Sequence, residues 1–175
     1  MLLNQAVVDA LNKQIVEEFA ASDQYLAIAL HFDRETLPEL SNYFHIQAKE
    51  EYEHAMKMLQ YINDAGGRPM IPATPEPQNQ FETTEACVKL ALEQELQVTK
   101  QINDLVGLAT QENDYLTRQF LQWFVMEQLE EVSSMSDLLN VVKRAGEDNL
   151  FRVEEFLSRN PHAEAAGQAG EAAGE

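Results

Sequence analysis

QAKEEYEHAMKMLQY, residues 47–61, reads as a helix whose buried face carries polar groups. At about 3.6 residues per turn, Gln47, Glu51, His54, Met58 and Tyr61 fall on one face. Met58 and Tyr61 mark that face as buried. Glu51 and His54 sit in its middle, where an uncompensated carboxylate costs several kcal/mol. The Glu-x-x-His spacing also lets one helix offer an oxygen and a nitrogen to the same metal ion. Other helices must bring further carboxylates to the same depth for that reading to hold.

Outward from this stretch, helix two is expected over 38–65. Pro38 suits its first turn and Gly66-Gly67 stops it. Upstream, residues 4–33 keep a helical stripe of Val7, Leu11, Gln14, Glu18, Ser22, Tyr25, Ala29 and Phe32, widened by Ile15, Phe19 and Leu26. Glu18 intrudes on it as Glu51 does on helix two. Downstream, residues 66–82 hold four prolines and no periodicity. That reach is too long for a hairpin and can cross the length of a bundle, leaving helices two and three parallel.

Thr83 or Thr84 caps helix three, whose stripe Val88, Leu92, Glu95, Thr99, Ile102, Val106 and Ala109 again contains an acid. Residues 111–114, QEND, make a short turn with Asp114 as cap. Helix four then runs from about 115 to 145, up to Gly146, with Leu121, Phe124, Gln128, Glu131, Met135, Leu138 and Val142 on one face. A short amphipathic helix is expected from Asp148 to Arg159, and Pro161 ends it. Its face of Leu150, Phe151, Val153, Phe156 and Leu157 suits burial at a symmetry axis. Residues 1–160 therefore read as one domain. Residues 161–175 are an Ala/Gly/Glu-rich tail expected to be disordered.

Composition narrows the function. The 175 residues suit one domain, and only 7 Gly and 6 Pro leave long uninterrupted stretches, which favours an all-α protein. Thirty acids against twelve bases, a formal charge of −18, argue against nucleic acid or an anionic membrane as partner and favour cations. The single Cys87 excludes an internal disulfide and any cysteine-built zinc or iron–sulfur site. No signal-peptide layout or membrane-length apolar run is present, so a cytoplasmic protein is expected.

Four long helices thus each place a carboxylate inside an apolar stripe: Glu18, Glu51, Glu95 and Glu131, with His54 and Gln128 one turn from two of them. Burying several like charges together is prohibitive without a cation. Oxygen-rich ligands with one imidazole suit iron or manganese, and a pair of ions bridged by one carboxylate would use every group.

EEFAASDQYLAIALHF, QAKEEYEHAMKML, LEQELQVTKQIND and FLQWFVMEQLEEV together resemble the prokaryotic non-haem ferritins, across residues 4–160. The resemblance implies a ferritin-like four-helix bundle with a long crossover between helices two and three and a short fifth C-terminal helix. It implies a homo-oligomeric shell of about 24 subunits. Its activity would be that of a ferroxidase, an Fe2+:oxygen oxidoreductase using O2 or H2O2 and storing ferric oxide in the cavity. Ferritin-like di-iron proteins exemplify the bundle that takes one Glu from each of two helices and Glu-x-x-His from each of the others. By resemblance, Glu18, Glu51 and His54 bind the first iron, with Glu51 bridging. Glu95 and Glu131 carry the second, assisted by Gln128, and Tyr25 stands beside the centre. Glu50, Glu127 and Glu130 match a third, transit-type iron site, and Trp123 matches a tryptophan near the centre.

The chain departs from its neighbours in the superfamily. Gln128-x-x-Glu131 replaces a second Glu-x-x-His. Bacterioferritins carry a haem-binding methionine directly after the bridging glutamate; here that place is Tyr52, so no haem is expected. The acidic threefold-pore positions of animal ferritins correspond to Arg118 and Leu121, which shifts that role to Glu112 or Asp114. From the residues alone, Tyr25 reads equally as a core tyrosine, and Glu50, Glu127 and Glu130 as solvated acids. His31, His45 and His162 read as packing or surface residues. Two other functions fit the same residues: a shell that stores iron oxidised elsewhere, and a di-metal oxidase acting on an organic substrate.

Overall fold

The computed structural model describes residues 3–161, so the expected tail beyond Pro161, His162 included, lies outside the described residues. Five α-helices follow in order: α1 (Gln5–Arg34), α2 (Pro38–Asp64), α3 (Thr84–Gln111), α4 (Tyr115–Ala145) and α5 (Phe151–Arg159). A 3-10 turn, Glu147–Asn149, precedes α5. The first four form the expected bundle, and no strand occurs among the described residues.

Helix ends follow local chemistry. Asn4, Thr83 and Asp114 cap α1, α3 and α4 by accepting from Ala6, Ala86 and Thr117 N–H. Three ends share one stop. After α2, Gly66 takes φ 76° and Gly67 N–H reaches back to Ile62 O at 2.8 Å. Thr36 (φ 62°) and Asn113 (φ 57°) do the same after α1 and α3, with Leu37 N–H on Phe32 O and Asp114 N–H on Ala109 O. For a β-branched threonine this left-handed conformation is strained.

The crossover is laid along α1 by two amide side chains. Asn12 exchanges bonds with Arg68 O (3.1 Å) and Met70 N–H (2.8 Å). One long stretch later, Gln24 exchanges bonds with Gln78 O (2.9 Å) and Gln78 N–H (2.8 Å). The chain therefore travels from the end of α2 to the far end of the bundle before starting α3. This makes α2 and α3 parallel, as the loop length implied. Tyr61 near the end of α2 stacks on Phe120 near the start of α4 at 3.9 Å, so α4 is antiparallel to α2.

The short C-terminal segment differs from its expectation. It breaks into the 3-10 turn and α5, and only Val153 and Leu157 are buried, an i, i+4 pair; Phe151 is 64% exposed. The buried pair joins the core of its own chain, so it needs no symmetry axis. Charged groups hold this segment as well. α2 has no side-chain cap of its own, and the Glu154 carboxylate accepts from Glu39 and Leu40 N–H at 2.8 and 2.9 Å. Glu147 does the same for Thr84 and Glu85 N–H of α3, at 3.2 Å each. Glu154→Ala is expected to cost about 1–2 kcal/mol, seen as a lower denaturant midpoint at unchanged slope.

Two apolar clusters fill the bundle. One gathers Tyr25, Phe32, Phe44, Cys87, Met135 and Leu138; the other gathers Leu11, Ile15, Met58, Ile62, Leu121 and Phe124. On every long helix the two clusters are separated by one to three buried polar positions, and those positions form a layer across the middle. Leu26 lies off the core at 42% exposure, because a widened stripe exceeds the arc that α1 buries. Leu121 is fully buried, so it lines no pore. Asp114 is occupied in capping and Glu112 accepts from Asn4 Nδ2 at 2.6 Å.

Candidate metal centre

The middle layer holds Gln14, Glu18, Gln47, Glu50, Glu51, His54, Glu95, Gln128 and Glu131, each nearly inaccessible to solvent. Helical spacing puts them there: Glu18 follows Ile15, Glu51 precedes His54 by three, Glu95 lies four after Ala91, and Glu131 three after Gln128.

Two ligand groups emerge. Glu18, Glu51 and His54 offer atoms that all lie within 4.8 Å of one another, and His54, Glu127 and Glu131 do likewise. His54 Nδ1 stands 3.2 Å from Glu51 Oε2 and 3.9 Å from Glu18 Oε2. Glu51 shares hydrogen bonds with Glu18 and Glu95, which links the α1–α2 and α3–α4 halves. Tyr25 O–H donates to Glu95 Oε1, and Gln128 Nε2 donates to Glu95 Oε2 at 3.3 Å. Thr99 O–H fixes the Gln128 amide by donating to its Oε1 at 2.8 Å. Gln47 Nε2 donates to Glu50 Oε2 at 2.5 Å.

The electrostatics disfavour leaving these carboxylates all ionised without a compensating charge. Burial, eased by hydrogen bonds from Glu51 and Gln14, leaves the Glu18 carboxyl at about 7 instead of 4.5. Burial, then the charges of Glu95, Glu18 and Glu131, pushes Glu51 well above the carboxylate range. Glu131 is raised well above that range by burial, then by Glu95 and Glu50, and Glu95 is raised by burial. Burial, then the Lys57 ammonium, lowers His54 to about 4, so at neutral pH it is a neutral imidazole with a lone pair to give. Three buried carboxylate oxygens, Glu18 Oε2, Glu51 Oε1 and Glu131 Oε2, accept no hydrogen bond among the described residues. Orphaned carboxylate oxygens beside a neutral imidazole match the donor set of a divalent first-row ion.

The other sequence candidates separate. Glu127 joins His54 and Glu131, and Glu50 is buried within reach of Glu131, whereas Glu130 is exposed. Glu130 instead lines a groove with Tyr43, Asp137 and α5 residues. Trp123 meets His54 edge-on at 5.4 Å between centroids, and Lys57 Nζ lies 3.1 Å above the indole. His31 packs against Phe81 at 5.2 Å and His45 is exposed, so neither approaches the layer. Gln14 and Gln47, placed on buried stripes but given no part in the ligand set from sequence, turn out to hold the acids. Their signal was an amide one turn from a buried glutamate. Tyr25→Phe is expected to lower stability by about 1–2 kcal/mol, through the donor lost from Glu95, while leaving two-site metal binding intact; paired unfolding and cobalt titrations check both.

Comparison with known proteins gives a family and a fold. The ferritin family, as a ferritin-like domain, matches residues 8–145. Ferritin BfrB of Mycobacterium tuberculosis is 45% identical over 165 residues, 94% of this chain and 91% of that one. A bacterial non-heme ferritin of Staphylococcus aureus is 36% identical over 148 residues, 85% of this chain and 89% of that one. An open pore ferritin from Archaeoglobus fulgidus superposes with a TM-score of 0.86 at 38% identity, covering 90% of this chain and 97% of that one.

Proposed function

This chain belongs to the ferritin family, and on that footing we propose that it is an iron-storage protein that oxidises Fe2+ at its mid-bundle carboxylate centre. The observation that carries the reading is the set of three buried carboxylate oxygens without donors, converging on a neutral His54. Fe2+ is the substrate. One ion is held by Glu18, Glu51 and His54, the second by Glu95 and Glu131 with Gln128 assisting, and Glu51 bridges. Glu127 and Glu50 stand beside Glu131 and supply a third, transit position, without the outward-facing Glu130.

Each Fe2+ gives up one electron. O2 takes two electrons and two protons to become H2O2, or H2O2 takes two of each to become two waters. Two adjacent irons deliver both electrons together, which avoids one-electron oxygen products. The carboxylates favour the change because their negative charge stabilises Fe3+ over Fe2+, and none acts as a covalent nucleophile. Tyr25 holds Glu95 in place through its hydroxyl. No haem is expected, since Tyr52 offers no thioether at the position after Glu51.

Storage calls for a shell. Exposed apolar side chains on both flanks, Leu30, Tyr52 and Met56 on one and Leu96, Met126 and Leu129 on the other, support burial between copies in an assembly of about 24. No described helix is long and apolar enough to cross a membrane, which fits a cytoplasmic store. Incubating the metal-free protein with excess Fe2+ in air tests the storage reading. Iron should co-elute with the assembled protein far beyond the number of centres; iron that precipitates separately would oppose it.

A further inference from the structure

One oxygen of Glu18 is held by an amide of its own helix. Gln14, one turn earlier on α1, donates from Nε2 to Glu18 Oε1 at 2.9 Å, and the same amide lies 3.4 Å from Gln101 Oε1 on α3. Both glutamines line a cavity of about 350 Å3 between α1 and α3, whose walls include Ala10, Lys13, Glu17 and Asp104. Across the centre, the α2–α4 side is closed differently. There the Trp123 indole covers His54 and the Lys57 ammonium covers the indole. The α1–α3 mouth carries two amides and two carboxylates beside Lys13, and of the carboxylates Asp104 is paired with Lys100 at 2.6 Å, which leaves Glu17 as the acid nearest the amides.

Resting on the ferroxidase reading above, we propose that the α1–α3 cavity is the port through which Fe2+ reaches the centre, with the Gln14 and Gln101 amides as its gate. The cavity is roomy enough for a hydrated ion, since water occupies about 30 Å3 per molecule. Glu17, at the rim, raises the local cation concentration. Amide carbonyls are hard oxygen donors, so they replace water on the ion without holding it as a carboxylate would. Turning the Gln14 side chain about its own torsions uncovers Glu18 Oε1, the first ligand met from this side.

A port changes rates of binding and release, not the equilibrium between them. The test follows Co2+ binding to the metal-free, assembled protein by stopped-flow visible absorbance, which needs no oxidation step, with single-turnover Fe2+ oxidation alongside. The pair Ala10→Phe and Gln101→Leu narrows the cavity without touching the ligand set. It should slow Co2+ association about tenfold with unchanged stoichiometry and affinity, and slow Fe2+ oxidation in parallel. Lys13→Glu, at an exposed rim position, should raise the association rate about two- to threefold at low ionic strength and lose that gain in salt. Unchanged association rates in both variants overturn the proposal. So does weakened affinity at an unchanged association rate, which would make the amides mere supports of Glu18. Absence of Co2+ binding in the parent protein would instead overturn the ferroxidase reading.

Discussion

Glu51→Ala is expected to abolish the fast, saturable phase of Fe2+ oxidation, a loss exceeding the 10–100-fold typical of residues that only support a metal ligand. Glu51 stands where the two halves of the centre meet. It lies beside His54 at 3.2 Å, shares hydrogen bonds with both Glu18 and Glu95, and leaves Oε1 without a donor. Removing it separates the α1–α2 ligands from the α3–α4 ligands, so neither ion is held next to the other. Stability without metal should move the opposite way. Glu51 is pressed upward by burial and by three neighbouring acids, so Glu51→Gln relieves the metal-free bundle. Its midpoint of thermal unfolding without metal should rise, while the further rise on adding Co2+ should shrink. A falling metal-free midpoint would mean that Glu51 supports the fold itself.

The second large effect is on the pH dependence of the metal-free protein. Glu18 is raised from 4.5 to about 7, and Glu51, Glu95 and Glu131 are raised as well. Their folded state binds protons more tightly than the unfolded chain. Their stabilisation is therefore complete below about pH 4.5 and is lost as pH rises through the folded values. For Glu18 alone, the loss by pH 8 is about 3 kcal/mol at 1.36 kcal/mol per pKa unit. Unfolding at graded pH should show metal-free stability falling from pH 5 to 8. A divalent cation should reverse the slope, because it replaces the protons and binds better as the carboxylates ionise. His54 opposes this by as much as one of the four acids: lowered to about 4, it costs stability as pH falls below its unfolded value near 6.5. Equal slopes with and without cation would show that the four acids are not one site.

How far the sequence discloses this arrangement depends on the range over which each residue acts. Glu18, Glu51, Glu95 and Glu131 could be singled out because a helical stripe is local, and an acid within one contradicts its neighbours. The crossover and the parallel α2 and α3 followed from a proline-rich reach too long for a hairpin. Contacts across the chain left no such trace. Glu154 caps α2 from 114 and 115 residues away, and nothing near Leu37 announces it. Asn12 and Gln24 lie outside the stripe read on α1, although they guide the crossover. Leu26 was misplaced because a stripe widened by one residue passes the edge of the buried arc. Glu130 was grouped with Glu50 and Glu127 by resemblance, yet its side of α4 faces outward and the other two turn toward the centre.

The most direct test of the central claim is stopped-flow absorbance of the metal-free protein mixed with graded Fe2+ in oxygenated buffer. The carboxylate layer predicts a fast phase that saturates at about two irons per chain. Slow oxidation that only scales with added iron, with no saturating phase, would contradict it and leave a shell that stores iron oxidised elsewhere.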